Sequence, residues 1–158
     1  MDEATTALRW LRRLQRVPGH QVLFVTGLAL AAPYSATIRP RLVAVDHCRM
    51  TLAMRRRRAV TNHLHTVHAA AMANLAELTG SLCVMTSIPA SARWIPNALE
   101  LRYLRKARGD LQASCAFTPP DWRRQQDLSV PIELTDAHGE CVATARLGVR
   151  IGPKPPPR

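Results

Sequence analysis

Apolar residues near the start of the chain fall at Ala4, Ala7, Leu8, Leu11 and Leu14, with Arg9, Arg12, Arg13 and Arg16 elsewhere on the wheel. That spacing predicts an amphipathic helix, stopped by Pro18-Gly19. A second short helix is expected over residues 21–31, and Pro33-Tyr34 then leads into two strands, 37–45 and 49–55, turning at Asp46-His47. From residue 68 to 85 the chain is almost continuously apolar and small (HAAAMANLAELTGSLCVM), with no two-residue alternation. Ala, Leu and Met favour helix, and such a run would extend about 27 Å. A helix apolar nearly all round must be covered nearly all round.

Strand patterns follow over 98–104, 111–117, 128–135 and 141–151. Arg108-Gly109-Asp110 and Asp136-Ala137-His138-Gly139 read as hairpin turns, and Pro119-Pro120 marks a longer connection. Residues 152–158 are proline-rich and expected to be disordered. The order predicts an α+β class: a curved antiparallel β-sheet wrapped around a long central helix, preceded by N-terminal helices within 1–32. One domain over 1–151 holds all of it.

Composition narrows this in three ways. At 158 residues the chain suits one core, and only 4% aromatic content leaves aliphatic and small side chains to fill it. The four cysteines, Cys48, Cys83, Cys115 and Cys141, form no C-x-x-C pair. They predict free thiols in a reducing, cytoplasmic setting rather than a disulfide framework or a zinc ribbon. The apolar run 22–32 after a basic stretch imitates a signal peptide, yet Asp2 and Glu3 open the chain and an amphipathic helix precedes the run. It is also shorter than the roughly 20 residues that span a bilayer, so no membrane insertion is expected.

The net charge of +11 calls for anionic partners: nucleic acid, an anionic membrane or a phosphate-rich group. The run Arg55–Arg58 reads as a solvated strand end or as a phosphate contact. It has no interleaved aromatics, which argues against nucleic acid.

Two stretches carry a resemblance. In Asn62-His63-Leu64-His65-Thr66-Val67-His68-Ala69, an Asn precedes a helix-opening His by six positions, and Glu77 follows that His by nine. Tyr103-Leu104-Arg105-Lys106-Ala107-Arg108-Gly109-Asp110 has a strand ending closed by Gly-Asp. Together they resemble the hotdog-fold thioesterase superfamily, of the phenylacetate-pathway and 4-hydroxybenzoyl-CoA type, and within it the branch known as a domain of unknown function. The resemblance covers about residues 20 to 150 and departs at two places: His68-Ala69-Ala70 replaces His-Gly-Gly, and Lys106 stands where many members carry Pro. It implies hydrolysis of an acyl-CoA or acyl-carrier-protein thioester, with no cofactor beyond the coenzyme A of the substrate.

Such a reaction needs donors for the carbonyl oxygen and a base or nucleophile for the carbon. The first amide of the helix, Ala69 N–H, suits the oxyanion, because helix N-termini carry unpaired donors and a positive dipole end. Asn62 would orient the thioester or the water, His68 would brace the loop, and Glu77 would activate water or attack directly. Nine residues put Glu77 about 13 Å along the helix from His68, too far for one carbonyl. The two must therefore meet across a two-fold axis, in a homodimer or a tetramer.

Arg102, Arg105, Lys106 and Arg108 are candidates for the coenzyme A phosphates. His63-x-His65-x-x-His68 also resembles a metallo-β-lactamase zinc motif, but Val67 replaces its Asp and no metal is expected. A non-catalytic acyl-CoA-binding protein and a basic nucleic-acid-binding protein are the rival functions.

Overall fold

In the computed structural model, which describes residues 5–155, the N-terminal periodicity folds as three helices: α1 (Thr6–Leu14), α2 (His20–Ala31) and the single turn α3 (Pro33–Ala36). Thr5 caps α1, its hydroxyl accepting from the Leu8 amide, and Leu8, Leu11 and Leu14 face inward. The break between α1 and α2 uses Gly19 at φ 76°, a left-handed turn open to glycine without strain. α2 buries Phe24 and Leu28 and leaves Val22, Leu23 and Leu30 in solvent.

Six strands form one antiparallel sheet: β1 (Arg41–Asp46), β2 (Arg49–Met54), β3 (Ala92–Tyr103), β4 (Leu111–Ala116), β5 (Gln126–Asp136) and β6 (Cys141–Pro153), in the order β1-β2-β4-β5-β6-β3. The expected hairpins at Asp46-His47 and at 136–139 are present. The expected hairpin at Arg108-Gly109-Asp110 is not: among the described residues β3 pairs only with β6, so the chain crosses from one edge of the sheet to reach β4. β3 also starts at Ala92, six residues before the alternation suggests, because Pro96 and the bulge between Pro96 and Ala98 break its period. Proline is tolerated there because β3 is an edge strand with one paired side. Pro131 enters β5 by a similar allowance, since pairing with β4 ends at Cys115↔Ile132. β1 begins at Arg41, four residues later than expected, because α3 and the left-handed Arg39 (φ 49°) occupy the intervening chain. β6 runs two residues past the expected boundary, and the Lys154 amide donates to the Ser91 carbonyl. Of the expected disordered tail, residues 156–158 lie outside the described residues.

The long helix α4 (Ala69–Ser87) packs on the face of the sheet formed by Leu52, Leu111, Ala113, Val130, Ile132, Leu134, Ala145 and Leu147. It is not wrapped completely. Ala69, Ala70 and Met85 stay exposed, and Ala73, Glu77 and Ser81 are half-buried, which traces a stripe at four-residue spacing. On the packed side Gly80 lets helix and sheet approach closely. A Cβ there would lie 2.9 Å from Leu147 Cδ2 and 3.3 Å from both Leu147 Cβ and Ile132 Cδ1. Gly80→Val should therefore cost about 1–3 kcal/mol by overpacking, read as a lower urea midpoint at an unchanged slope.

Two edges bound the sheet, and they differ. Gln21 brackets β1, its amide nitrogen donating to the Leu42 carbonyl and its oxygen accepting from the Leu42 amide, and Gln15 donates to the Val43 carbonyl. β3 has no such cover among the described residues, and Ile95, Leu99 and Tyr103 are exposed along it. No helix among the described residues is long and apolar enough to cross a membrane. Cys48, Cys83 and Cys115 are buried; the hydrogen bond with Cys115 and burial hold the Cys83 thiol far above its ordinary range, so it stays protonated.

Candidate active site at the head of α4

The segment ahead of α4 is a tight loop organised by Asn62. Its backbone exchanges bonds with Thr66 and His65, and the isolated bridge Thr61↔Val67 closes the loop. The Asn62 Oδ1 accepts from the Leu64 amide at 3.0 Å, the Thr66 amide at 3.2 Å and the Thr66 hydroxyl at 3.1 Å. Asn62 thus shapes the loop with its oxygen and keeps only its Nδ2 for other use. His65 sits at φ 56°, the left-handed kink that the loop needs. Thr66 is buried, so Asn62→Ala would leave its hydroxyl and two amides without their acceptor. That change should cost about 1–3 kcal/mol and speed hydrogen exchange at Leu64 and Thr66.

His68 is the N-cap of α4. Its Nδ1 accepts from the Ala70 amide at 3.0 Å, which requires an unprotonated Nδ1. The His68 carbonyl takes the amides of Ala71 and Met72, and its own amide donates to Val60. This is a bracing role, and it uses up three of the first four helix amides. The Ala69 N–H donates to nothing in the described chain and sits at the exposed positive end of α4.

Two further segments are tied to this loop. The Val67 amide donates to the Ala107 carbonyl, and the Arg56 amide and guanidinium bond Asp110 and the His65 carbonyl. Lys106 and Arg108 flank Ala107 and are exposed, beside the loop at the head of α4. Within the run Arg55–Arg58, Arg56 and Arg57 are engaged, Arg57 with the Thr37 carbonyl, while Arg55 and Arg58 form no ion pair among the described residues. Arg105 is spent on a surface pair with Glu140. Arg102 lies elsewhere: with Arg49, Glu100, Glu133 and Arg146 it lines a groove of about 1060 Å³ on the sheet face turned away from α4. The alternation of β3 sends neighbouring residues to opposite faces, which the run of basic letters conceals.

Glu77 is two and a half turns along α4, on the uncovered stripe. Its Oε1 accepts from Ser81 Oγ at 2.7 Å, and it makes no ion pair among the described residues. The chain by itself therefore separates Glu77 from Asn62, His68 and Ala69, as the helical arithmetic requires. Among the described residues no group of three or more His, Cys, Asp or Glu could hold a metal ion.

Three residues escape sequence reading. Ser81 shares the Glu77 face one turn on, and its four-residue spacing from Glu77 within the predicted helix 68–85 is the signal that could have found it. The Tyr103 hydroxyl donates to the Ala69 carbonyl at 3.3 Å, linking the end of β3 to the helix mouth. Asn74, buried within α4, donates from Nδ2 to the Tyr34 carbonyl and leaves its Oδ1 unpartnered.

A six-stranded antiparallel sheet curved over one long helix, with the polar loop at that helix's head, is the hotdog fold. The chain belongs to the family described as domain of unknown function DUF4442, whose model matches residues 20–151. A crystal structure from structural genomics is 30% identical, at a TM-score of 0.83 over 95% of this chain and 100% of that one. A Pseudomonas aeruginosa protein described as of unknown function and a probable thioesterase is 22% identical, at 0.73 over 84% and 96%. Zebrafish thioesterase superfamily member 2 is 16% identical, at 0.70 over 82% and 94%. No curated protein matches the chain.

Proposed function

We propose that the protein hydrolyses acyl thioesters, of coenzyme A or of an acyl-carrier protein, at sites shared between two copies of the chain. The observation that carries this reading is the free Ala69 N–H at the head of a helix whose next three amides are all occupied. An oxyanion held there meets a donor already aimed and a helix dipole of the right sign. Glu77 of the second copy takes a proton from the attacking water, the tetrahedral intermediate collapses with cleavage of the C–S bond, and that proton passes to the departing thiolate, while Asn62 Nδ2 orients the thioester. Lys106, Arg108, Arg55 and Arg58 offer cations to the phosphates of the carrier at the same mouth.

The association itself has support in the fold. The open edge of β3, with exposed Ile95, Leu99 and Tyr103, can pair with the same strand of a second copy about a two-fold axis. That operation sets the uncovered stripes of the two α4 helices side by side and antiparallel. Ala69, Ala70 and Ala73 allow close approach there, as a site shared between Glu77 of one chain and the helix head of the other requires.

The test is thiol release from short, long and aromatic acyl-CoAs by the purified protein, with coenzyme A ester binding measured in parallel. Turnover on at least one class supports hydrolysis. Binding without turnover on every class would make the protein an acyl-CoA-binding module instead.

A further inference from the structure

We propose that the N-terminal arm, α1 through α3, docks the protein on an anionic lipid surface. Between Glu3 and Asp46 the sequence has six arginines, Arg9, Arg12, Arg13, Arg16, Arg39 and Arg41, and no Asp or Glu. Arg12 is committed to Asp46; the other five form no ion pair among the described residues. The same arm has an unusual apolar surface. Val22 is 70% exposed, Leu30 85% and Tyr34 71%, and Leu23 and Trp10 are also half or more exposed. Leu23 and Leu30 lie seven apart on α2, on a face away from the buried Phe24 and Leu28, and the exposed Tyr34 follows on α3 after the break at Ala32.

α2 itself has no charged residue. Its basic partners lie before it, at Arg9, Arg13 and Arg16, and after it, at Arg39 and Arg41. An uncharged helix with exposed Leu and Val, flanked by arginines and by exposed Trp10 and Tyr34, fits the interface of a bilayer. There apolar side chains enter the acyl boundary, aromatic rings sit at headgroup level and guanidinium groups meet anionic phosphates. A second copy of the arm would be a poor occupant, since it would set arginine against arginine. The arm covers the β1 edge, while the β3 edge is at the opposite side of the sheet, so docking leaves the proposed two-fold contact free.

The experiment is flotation of the full chain with vesicles of phosphatidylcholine alone or with one-third phosphatidylglycerol. It compares wild type with Leu23→Asp/Leu30→Asp and with Arg9→Gln/Arg13→Gln/Arg16→Gln. Leu23 and Leu30 project into solvent, so circular dichroism and gel filtration should be unchanged in the first variant. Binding is expected to need phosphatidylglycerol and to weaken about tenfold or more in each variant. Wild-type binding to phosphatidylglycerol that Leu23→Asp/Leu30→Asp leaves intact would overturn the proposal, since the overall charge of +11 would then suffice. A drop in oligomer size in that variant would overturn it too, by making that face of α2 a contact between chains. The outcome does not depend on turnover, so it stands or falls separately from thioester hydrolysis.

Discussion

Glu77→Gln should lower kcat for thioester hydrolysis about 1000-fold while leaving the affinity for acyl-CoA within a few-fold of wild type. The substitution removes the charge and the basic lone pair and keeps the size. It also keeps the fold, because the amide oxygen of Gln accepts from Ser81 Oγ as the carboxylate does at 2.7 Å. Steady-state kinetics with thiol detection, beside equilibrium binding of a non-hydrolysable acyl-CoA analogue, separates the two effects. Unchanged turnover would remove Glu77 from the reaction.

Ala69→Pro is the second large effect, and it addresses one atom. Ala69 is the first helical residue of α4, the position where proline is best tolerated, and His68 before it has φ −66° and ψ 138°, the extended geometry that a following proline requires. The change deletes the unpaired N–H and disturbs little else, so kcat should fall about 100- to 1000-fold, as for other losses of an oxyanion donor. The melting temperature should stay near that of wild type. Mixing the two variants then tests the shared site. Ala69→Pro and Glu77→Gln chains each lack one half, and a heterodimer rebuilds one complete site of two. Random pairing should recover about a quarter of wild-type turnover, whereas sites contained in one chain would recover none.

The sequence announces α4 most clearly, because an apolar run with no alternation has few alternatives, and the Asn62-His68-Glu77 spacing follows once that helix is known. The separation of Glu77 from His68 was legible for the same reason: rise per residue is a property of the backbone alone. The roles were less legible. Asn62 looks like a reagent on paper, yet its Oδ1 is consumed by three bonds to its own loop. Strand order was hidden, since Arg108-Gly109-Asp110 is compatible with either a hairpin or a crossover, and only long-range pairing to β6 decides. Pro96 hid the first half of β3 by interrupting the period on which strand recognition rests. The basic letters at 102–108 read as one patch, but geometry divides them among the outer groove, a Glu140 pair and the helix mouth.

The pair of hydrogen bonds between Gln21 and Leu42 has a consequence for how far such chains can grow. A sheet open at both edges can add copies without limit, each new strand offering the next a template. Here one edge is stoppered by a side chain that imitates a strand's own donor and acceptor. In the proposed pairing through β3, growth by strand addition would therefore stop at that one edge, and Gln21→Ala would uncover the Leu42 amide and carbonyl at the other.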